Sequence, residues 1–263
     1  MPNPQGPRHP VLHDSSLSRV VVVMPAYNAA ATLARTYRDL PSAIVNHVIL
    51  VDDGSTDETA VLAGELGIEV IRHSRNRGYG ANQKTCYRAA LAAGADIVVM
   101  VHPDWQYDPT KLPALIAPIT ADDADMVLGS RFLGDPLAGG MPWWKFLANR
   151  GLTALENHTF GLNLSEYHTG FRAYSRRLLE TIDLEANSDD FVFDQQVVAR
   201  VAAAGLRIAE IAVPTRYLPD SSSVNFRRSV VYGAATLVTI ARFRVGVYGR
   251  PPRRQVGAAT LMD

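Results

Sequence analysis

The stretch "HVILVDDGSTDETAVLAGELGIEVIRH", residues 47–73, decides how the chain folds. Val48–Val51 are apolar without alternation, the mark of a strand buried on both faces. The run stops at Asp52 and Asp53, and Gly54 allows a sharp turn. Ser55 and Glu58 stand in capping-box spacing and Gly67 can close the helix they open. The apolar "IEVIRH", 68–73, follows as a second buried strand. Strand, helix, strand is the unit of a parallel sheet.

The same alternation runs outward. "RVVVVMP", 19–25, is a strand and "ATLARTYRDL", 31–40, has helical spacing. The Gly-containing "SRNRGYG" leads into the helix "ANQKTCYRAALAAG". The strand "ADIVVMVH", 95–102, the helix "DPTKLPALIAPI" and the strand "ADMVLGSR", 124–131, follow. The fold class is α/β: a mostly parallel, Rossmann-like central sheet with helices on both faces. Polar residues gather just after the carboxyl ends of strands: Asn28, Asp52, Asp53, His102, Asp104 and Arg131. That edge is where open α/β sheets bind ligands.

Beyond Arg131 the pattern loosens. "FLGDPLAGGMPWWK" reads as a Gly/Pro-rich loop and "FLANRGLTALENHTFG" as a helix. "LSEYHTGFRAYSRRLLETI" runs from a loop into a helix, "DDFVFDQQVVARVAAAG" is a helix capped by Gly205, and "LRIAEIAVPTRYLP" is a strand. There is no internal repeat and no clean linker. One domain over 18–220 is expected, with a polar, Pro-rich disordered leader over 1–17 and a basic helix and tail over 221–263.

Apolar residues make up 47% and charged residues 20% of the 263, and the formal net charge is +0. Nothing global therefore points to nucleic acid. Cys86 is the single cysteine, which fits a reducing compartment and hence a cytoplasmic location. The longest apolar run near the end, "VVYGAATLVTIA", 230–241, is too short to span a bilayer. From Ser221 to Met262 there is no acidic residue, yet Arg227, Arg228, Arg242, Arg244, Arg250, Arg253 and Arg254 are present. Such a segment is either a helix lying on an anionic membrane surface or a core-packed helix followed by a solvated end.

The chain resembles the family 2 glycosyltransferases of the GT-A fold, and within them the dolichol- or polyprenyl-phosphate sugar synthases. The segments that carry the likeness are "VVVMPAYNAAATL", "VILVDDGSTDET", "NRGYGANQKT", "VMVHPDWQYDP", "LGSRF" and "HTGFRAYSRRLL", in order, across about residues 18–220. There is no GxxxxGK[ST] loop and no dinucleotide GxGxxG fingerprint. The resemblance implies that Pro25, Tyr27, Asn28, Asp52, Asp53 and Asp104 bind the nucleotide of a nucleotide-diphosphate sugar. It implies a Mn²⁺ or Mg²⁺ site at His102, Asp104 and Gln106, on the family's Asp-x-Asp-x-Gln pattern. Arg131 would meet the diphosphate or the acceptor phosphate, and the reaction would be an inverting displacement.

Three departures stand out. His102 replaces the first aspartate, and either ligates the ion or merely ends the strand, with Asp104 as the anchor. Gln196 stands where the family often has a glutamate, which leaves Asp194 as the candidate base. The segment "LPDSSSVNF" carries no lysine to grip a lipid phosphate. On the acceptor side stand Glu166, His168, Gly170 and Arg172, and Trp143 and Trp144 are placed to stack on a sugar, meet a membrane interface or plug the core. Lys84 and Arg77 either reach phosphate or are solvated. The acceptor is lipid-linked or another molecule, the oligomeric state is open, and the rival reading is a nucleotide-sugar-binding protein without turnover, its metal site weakened by His102.

Overall fold

In the computed structural model, residues 18–134, 136–137, 140–214 and 226–249 are described. The leader, residues 215–225 and the tail from 250 lie outside them.

The amino-terminal half follows the expected alternation. It runs β1 (Val20–Ala26), α1 (Ala30–Arg38), β2 (His47–Asp52), α2 (Thr59–Glu65), β3 (Glu69–Arg72), α3 (Tyr79–Ala92), β4 (Ile97–Met100), α4 (Leu112–Thr120) and β5 (Met126–Ser130). Then come α5 (Trp143–Phe160), β6 (Arg172–Ser175), α6 (Arg176–Thr181), α7 (Phe193–Ala203), β7 (Ile208–Ala212) and α8 (Phe226–Arg244). The strands form one mixed sheet in the order β3-β2-β1-β4-β6-β5-β7. It is mostly parallel, as expected; β6 alone runs antiparallel to both its neighbours.

Each face of the sheet has its own core. Val21, Val23, Ile49, Val51, Val98 and Met100 point to the face packed by Tyr87, Phe193, Ile240 and Phe243. Val20, Val22, Met24, Leu50, Ile97 and Val99 point to the face packed by Leu33, Leu112 and Leu115. This period-2 split of an unbroken apolar run is what a strand covered on both sides requires. Pro25 is tolerated inside central β1 because the β1–β4 register ends at Val23 and Met100. Its missing N–H costs no ladder bond.

Three local expectations are corrected. β6 stands where a loop was expected: "RAYS" is four residues long and contains a charge, so neither length nor periodicity marks it. The capping box at Ser55 and Glu58 does not form, because α2 begins only at Thr59 and its first turn has no side-chain cap. The Ser55 hydroxyl instead accepts from the Asn28 N–H at 2.8 Å. Asp57 accepts from the Thr59 N–H at 3.0 Å and from the Ala30 N–H at 3.1 Å, tying the two loops together. Trp143 and Trp144 open α5 rather than lying in the loop before it.

α3 starts against a second segment of chain. The Gly80 and Ala81 N–H groups donate to the Asp189 carbonyl at 2.8 and 3.3 Å, which satisfies donors a helix start leaves open. A Cβ on Gly80 would run into the Ser188 carbonyl and come within 2.8 Å of Phe193 Cβ. Gly80→Ala is therefore expected to destabilise the fold by ~1–3 kcal/mol through overpacking. Urea unfolding checks this; a midpoint equal to that of the parent would show that residues 188–189 yield freely.

Candidate active site

β1, β2, β3 and β4 are mutually parallel, so their carboxyl ends share one edge. The two aspartates that end β2 do different things there. Asp52 is fully buried; Oδ1 accepts from the Ser55 N–H at 3.0 Å and Oδ2 lies 3.1 Å from Arg72 Nε. Arg72 also donates to the Ser55 carbonyl, with 60% of its side chain exposed. Asp53 is used inside the protein: it meets the His73 ring at 2.6 Å and accepts from the Arg77 and Gly78 N–H groups at 2.9 and 3.0 Å. Gly54, Ser55, Arg72, His73 and Ser74 line an open cleft of about 450 Å³. Pro25 is buried, and Tyr27, 52% exposed, follows it; Asn28, at φ 52°, accepts from the Thr56 N–H through Oδ1.

Past β4 the chain forms a tight loop clamped to α1. Trp105 adopts φ 54°, Arg35 stacks 3.2 Å above its ring, and its indole N–H donates to Asp39 at 2.8 Å. The Thr32 hydroxyl donates to the Pro103 carbonyl, and the Gln106 N–H to Asp104 Oδ1 at 3.0 Å. His102, Asp104 and Gln106 therefore share one braced loop. Among the described residues no three His, Cys, Asp or Glu side chains group around one point.

The His102 ring stacks on Tyr79 with centroids 5.6 Å apart, and its Nε2 lies 3.1 Å from the Tyr79 hydroxyl. That hydroxyl donates to Asp194 Oδ2 at 2.8 Å. Asp194, 7% exposed in the first turn of α7, also accepts from Gln83 at 3.2 Å and lies 3.7 Å from an Arg172 nitrogen.

The acceptor-side expectations divide. Arg172 is a core residue, 0% exposed, donating to the carbonyls of Thr169, Tyr167 and Asp194. Its guanidinium is spent on these carbonyls. Arg131 forks onto the buried Glu166 and donates to the His168 carbonyl. Trp143 is 70% exposed at the start of α5. Lys84 is neither solvated nor turned to the cleft: its ammonium donates to the Glu185 and Asn187 carbonyls and pairs with Asp189 at 2.7 Å. The Arg77 side chain is exposed.

The model of glycosyl transferase family 2 matches residues 21–183, more than half of the chain. The chain belongs to glycosyl transferase family 2. It is 27% identical to a polyprenol monophosphomannose synthase of Mycolicibacterium smegmatis, over 74% of this chain and 76% of that one. It is 29% identical to an undecaprenyl-phosphate mannosyltransferase of Micrococcus luteus, over 74% and 82%. These relatives support the resemblance to the polyprenyl-phosphate sugar synthases. A glucosyl-3-phosphoglycerate synthase of Mycobacterium tuberculosis, solved with Mn²⁺, uridine diphosphate and phosphoglyceric acid, superposes with a TM-score of 0.65 at 19% identity, over 90% of this chain and 80% of that one. The protein is a glycosyltransferase with the GT-A fold.

Two site features of this glycosyltransferase were not singled out in the sequence. Arg72 ends β3 at the ligand edge, so the rule that found Asp52 could have found it. Tyr79 and Gln83 meet Asp194 across 115 and 111 residues, a pairing that no local signal carries. Beneath the loop before β6 lies another long-range pair. Glu156 Oε2 is 3.4 Å from His168 Nε2, and Glu156 is fully buried. His168 Nδ1 meets Tyr232 and Gln195.

Despite the short distance this is no ion pair. Burial pushes the Glu156 carboxyl up to about 8, and burial with the charges of Arg131 and Arg172 pushes the His168 imidazole down to about 3. Unfolded, these groups titrate at 4.5 and 6.5. Between those values both states hold one proton per pair, so the pair adds no pH dependence. From 6.5 to about 8 only the folded state keeps its proton, and stability falls as pH rises. From 4.5 down to about 3 only the unfolded state gains one, and stability falls as pH drops. The expected slope above pH 6.5 is up to about 1.4 kcal/mol per pH unit. Urea unfolding at several pH values checks it, and Glu156→Gln is expected to flatten the alkaline limb; an equal slope in both proteins would show that Glu156 is ionised in the fold.

Proposed function

We propose that this glycosyltransferase moves a sugar from a nucleotide-diphosphate sugar to a lipid-linked phosphate acceptor, with inversion and with the help of Mn²⁺ or Mg²⁺. One observation carries the reading: the cleft lined by Arg72, whose guanidinium meets the buried Asp52, opens at the same sheet edge as the braced loop holding His102, Asp104 and Gln106. Asp52 with Arg72, the segment Pro25–Asn28 and the Asp53-braced loop form the nucleotide side. Tyr27 is exposed enough to lie against a flat base.

The donor set on the β4 loop fits a divalent ion. A carboxylate from Asp104 and an amide oxygen from Gln106 are hard ligands, and an imidazole from His102 favours Mn²⁺ over Mg²⁺. So few protein ligands leave positions for diphosphate oxygens. The bound ion would neutralise the diphosphate and make it a better leaving group. A phosphate acceptor is already anionic and needs little help from a base. The relatives named above, which carry polyprenol and undecaprenyl phosphate in their names, support that acceptor class. For Arg131 we propose a part in shaping the acceptor-side loop through Glu166, and for Trp143 a contact with the sugar or the membrane interface.

A thermal-shift panel tests the donor. UDP-, GDP-, CDP- and dTDP-sugars are added with and without Mn²⁺; at least one is expected to stabilise the protein more with the ion than without it. No stabilisation by any of them would end the reading. His102→Asp is expected to restore Mg²⁺ use, whereas unchanged metal dependence would mean that His102 never meets the ion. Sugar transfer to a polyprenyl phosphate separates the enzyme from a nucleotide-sugar binder without turnover.

Peripheral association with the cytoplasmic membrane face is the second part of the proposal. Among the described residues no helix is long and apolar enough to cross a membrane. α8, however, is built inside out. Its buried side carries Thr236 and Thr239 beside Ile240 and Phe243, while Val231, Leu237 and Val238 are half or more exposed. Arg242 and Arg244 are exposed on the same helix. An outward apolar stripe with arginines and no acid suits an anionic bilayer surface. The protein is expected to sediment with phosphatidylglycerol vesicles and far less with phosphatidylcholine. Leu237→Glu/Val238→Glu is expected to lower that binding at least about tenfold, since a charge on the outward apolar stripe opposes insertion. Equal sedimentation of parent and variant would overturn the docking face.

A further inference from the structure

The His102 ring is held from two sides, and the two contacts together assign its nitrogens. Nε2 faces the Tyr79 hydroxyl at 3.1 Å. The same edge of the ring faces Gly170 so closely that a Cβ there would lie 2.8 Å from Cδ2 and 3.0 Å from Nε2. The Cδ2–Nε2 edge is thus closed by Gly170 and Tyr79. No described residue hydrogen-bonds Nδ1.

The direction of the hydrogen bonds follows from the far end of the chain. Asp194 Oδ2 accepts the Tyr79 hydroxyl at 2.8 Å, and Oδ1 accepts Gln83 at 3.2 Å with an Arg172 nitrogen 3.7 Å away. Both oxygens face donors, so Asp194 acts as an acceptor and the Tyr79 proton points to it. The Tyr79 oxygen then has only lone pairs to offer His102. A neutral imidazole that donates through one nitrogen presents a bare lone pair on the other.

We propose that Tyr79, oriented by Asp194, holds His102 with its proton on Nε2, so that Nδ1 is the nitrogen presented to the divalent ion. The inference rests on the reading of His102 as a ligand in the proposed function and deepens it. Tyr79 and Asp194 are positioning residues here, not ligands. Asp194 then serves the site through two hydrogen bonds rather than as a general base. A carboxylate at the far end of such a chain also makes the ligating nitrogen a better donor, as outer partners of metal-bound histidines do. That offsets part of what the site loses when imidazole stands in place of an aspartate. Gly170 belongs to the same device, because any side chain there displaces the ring.

The test begins with the metal-free parent protein. The ring nitrogens of His102 are read by long-range ¹H–¹⁵N correlation on ¹⁵N-labelled protein, assigned by comparison with His102→Gln. Neutral His102 protonated on Nε2 is the expected result; a proton on Nδ1 overturns the proposal without any variant. Mn²⁺ affinity is then measured by electron paramagnetic resonance in the presence of UDP. Tyr79→Phe keeps the ring stack and removes the hydroxyl. It is expected to weaken Mn²⁺ binding about tenfold or more and to mix the two tautomers, while leaving the melting temperature within a few degrees of the parent. If His102→Gln weakens Mn²⁺ binding but Tyr79→Phe does not, the relay is wrong and the metal reading stands. If His102→Gln leaves Mn²⁺ affinity unchanged, the histidine is no ligand and both fail together.

Discussion

The carboxylate of Asp53 is the constraint on which the ligand edge depends. It joins the end of β2 to the His73 ring just past β3 and to two backbone N–H groups, of Arg77 and Gly78, just before α3. His73 is in turn held by Thr85 on α3 at 3.0 Å. Hydrogen bonds to a carboxylate are among the stronger ones in a fold, and leaving buried donors unmatched is costly. One side chain thus fixes where β3 ends, where α3 begins and where Tyr79 stands. Asp52, its neighbour, is buried and pairs with the exposed Arg72 that lines the cleft. Adjacent aspartates divide the work: one builds the edge and one holds the arginine at the cleft.

The second brace acts on the loop proposed to hold the ion. Trp105 lies between Asp104 and Gln106, and its left-handed backbone at φ 54° is unusual for a bulky residue. The strain is held by the Arg35 stack and the bond to Asp39. Both partners sit on or just past α1, so the helix after β1 positions the loop after β4. The loops after β1 and β4 are therefore built against each other. The site is not two independent loops that meet by chance.

Much of this fold was legible in the sequence, because the information was local. Unbroken apolar runs gave the parallel strands of the amino-terminal half, and polar residues at their ends gave the ligand edge. What escaped was what depends on distant partners. β6 is four residues long and holds a buried arginine whose partners are carbonyls on its own flank and on α7. The Ser55–Glu58 spacing promised a capping box, but Asn28 claimed the Ser55 hydroxyl from 27 residues away. A capping motif is only as good as the absence of a better acceptor or donor nearby. Of the candidate site residues, Asp52, Asp53, His102 and Arg131 lie at the carboxyl ends of strands, whereas Arg172 and Lys84 are inside. A charge pattern alone does not tell a ligand-binding arginine from one that satisfies buried carbonyls.

His102 shows how these levels combine. In the sequence it is a departure from an aspartate, with a doubtful place in the site. In the structure its ring has a closed edge, at Gly170 and Tyr79, and a second nitrogen that no described residue hydrogen-bonds. A substitution that removes a negative charge from the proposed metal loop would by itself weaken the loop's hold on a cation. Here the carboxylate of Asp194 lies two hydrogen bonds away, through Tyr79. The charge taken from the first position of the motif is present one layer further out, on α7. The histidine is thus part of a connected arrangement of α3, α7 and the β4 loop.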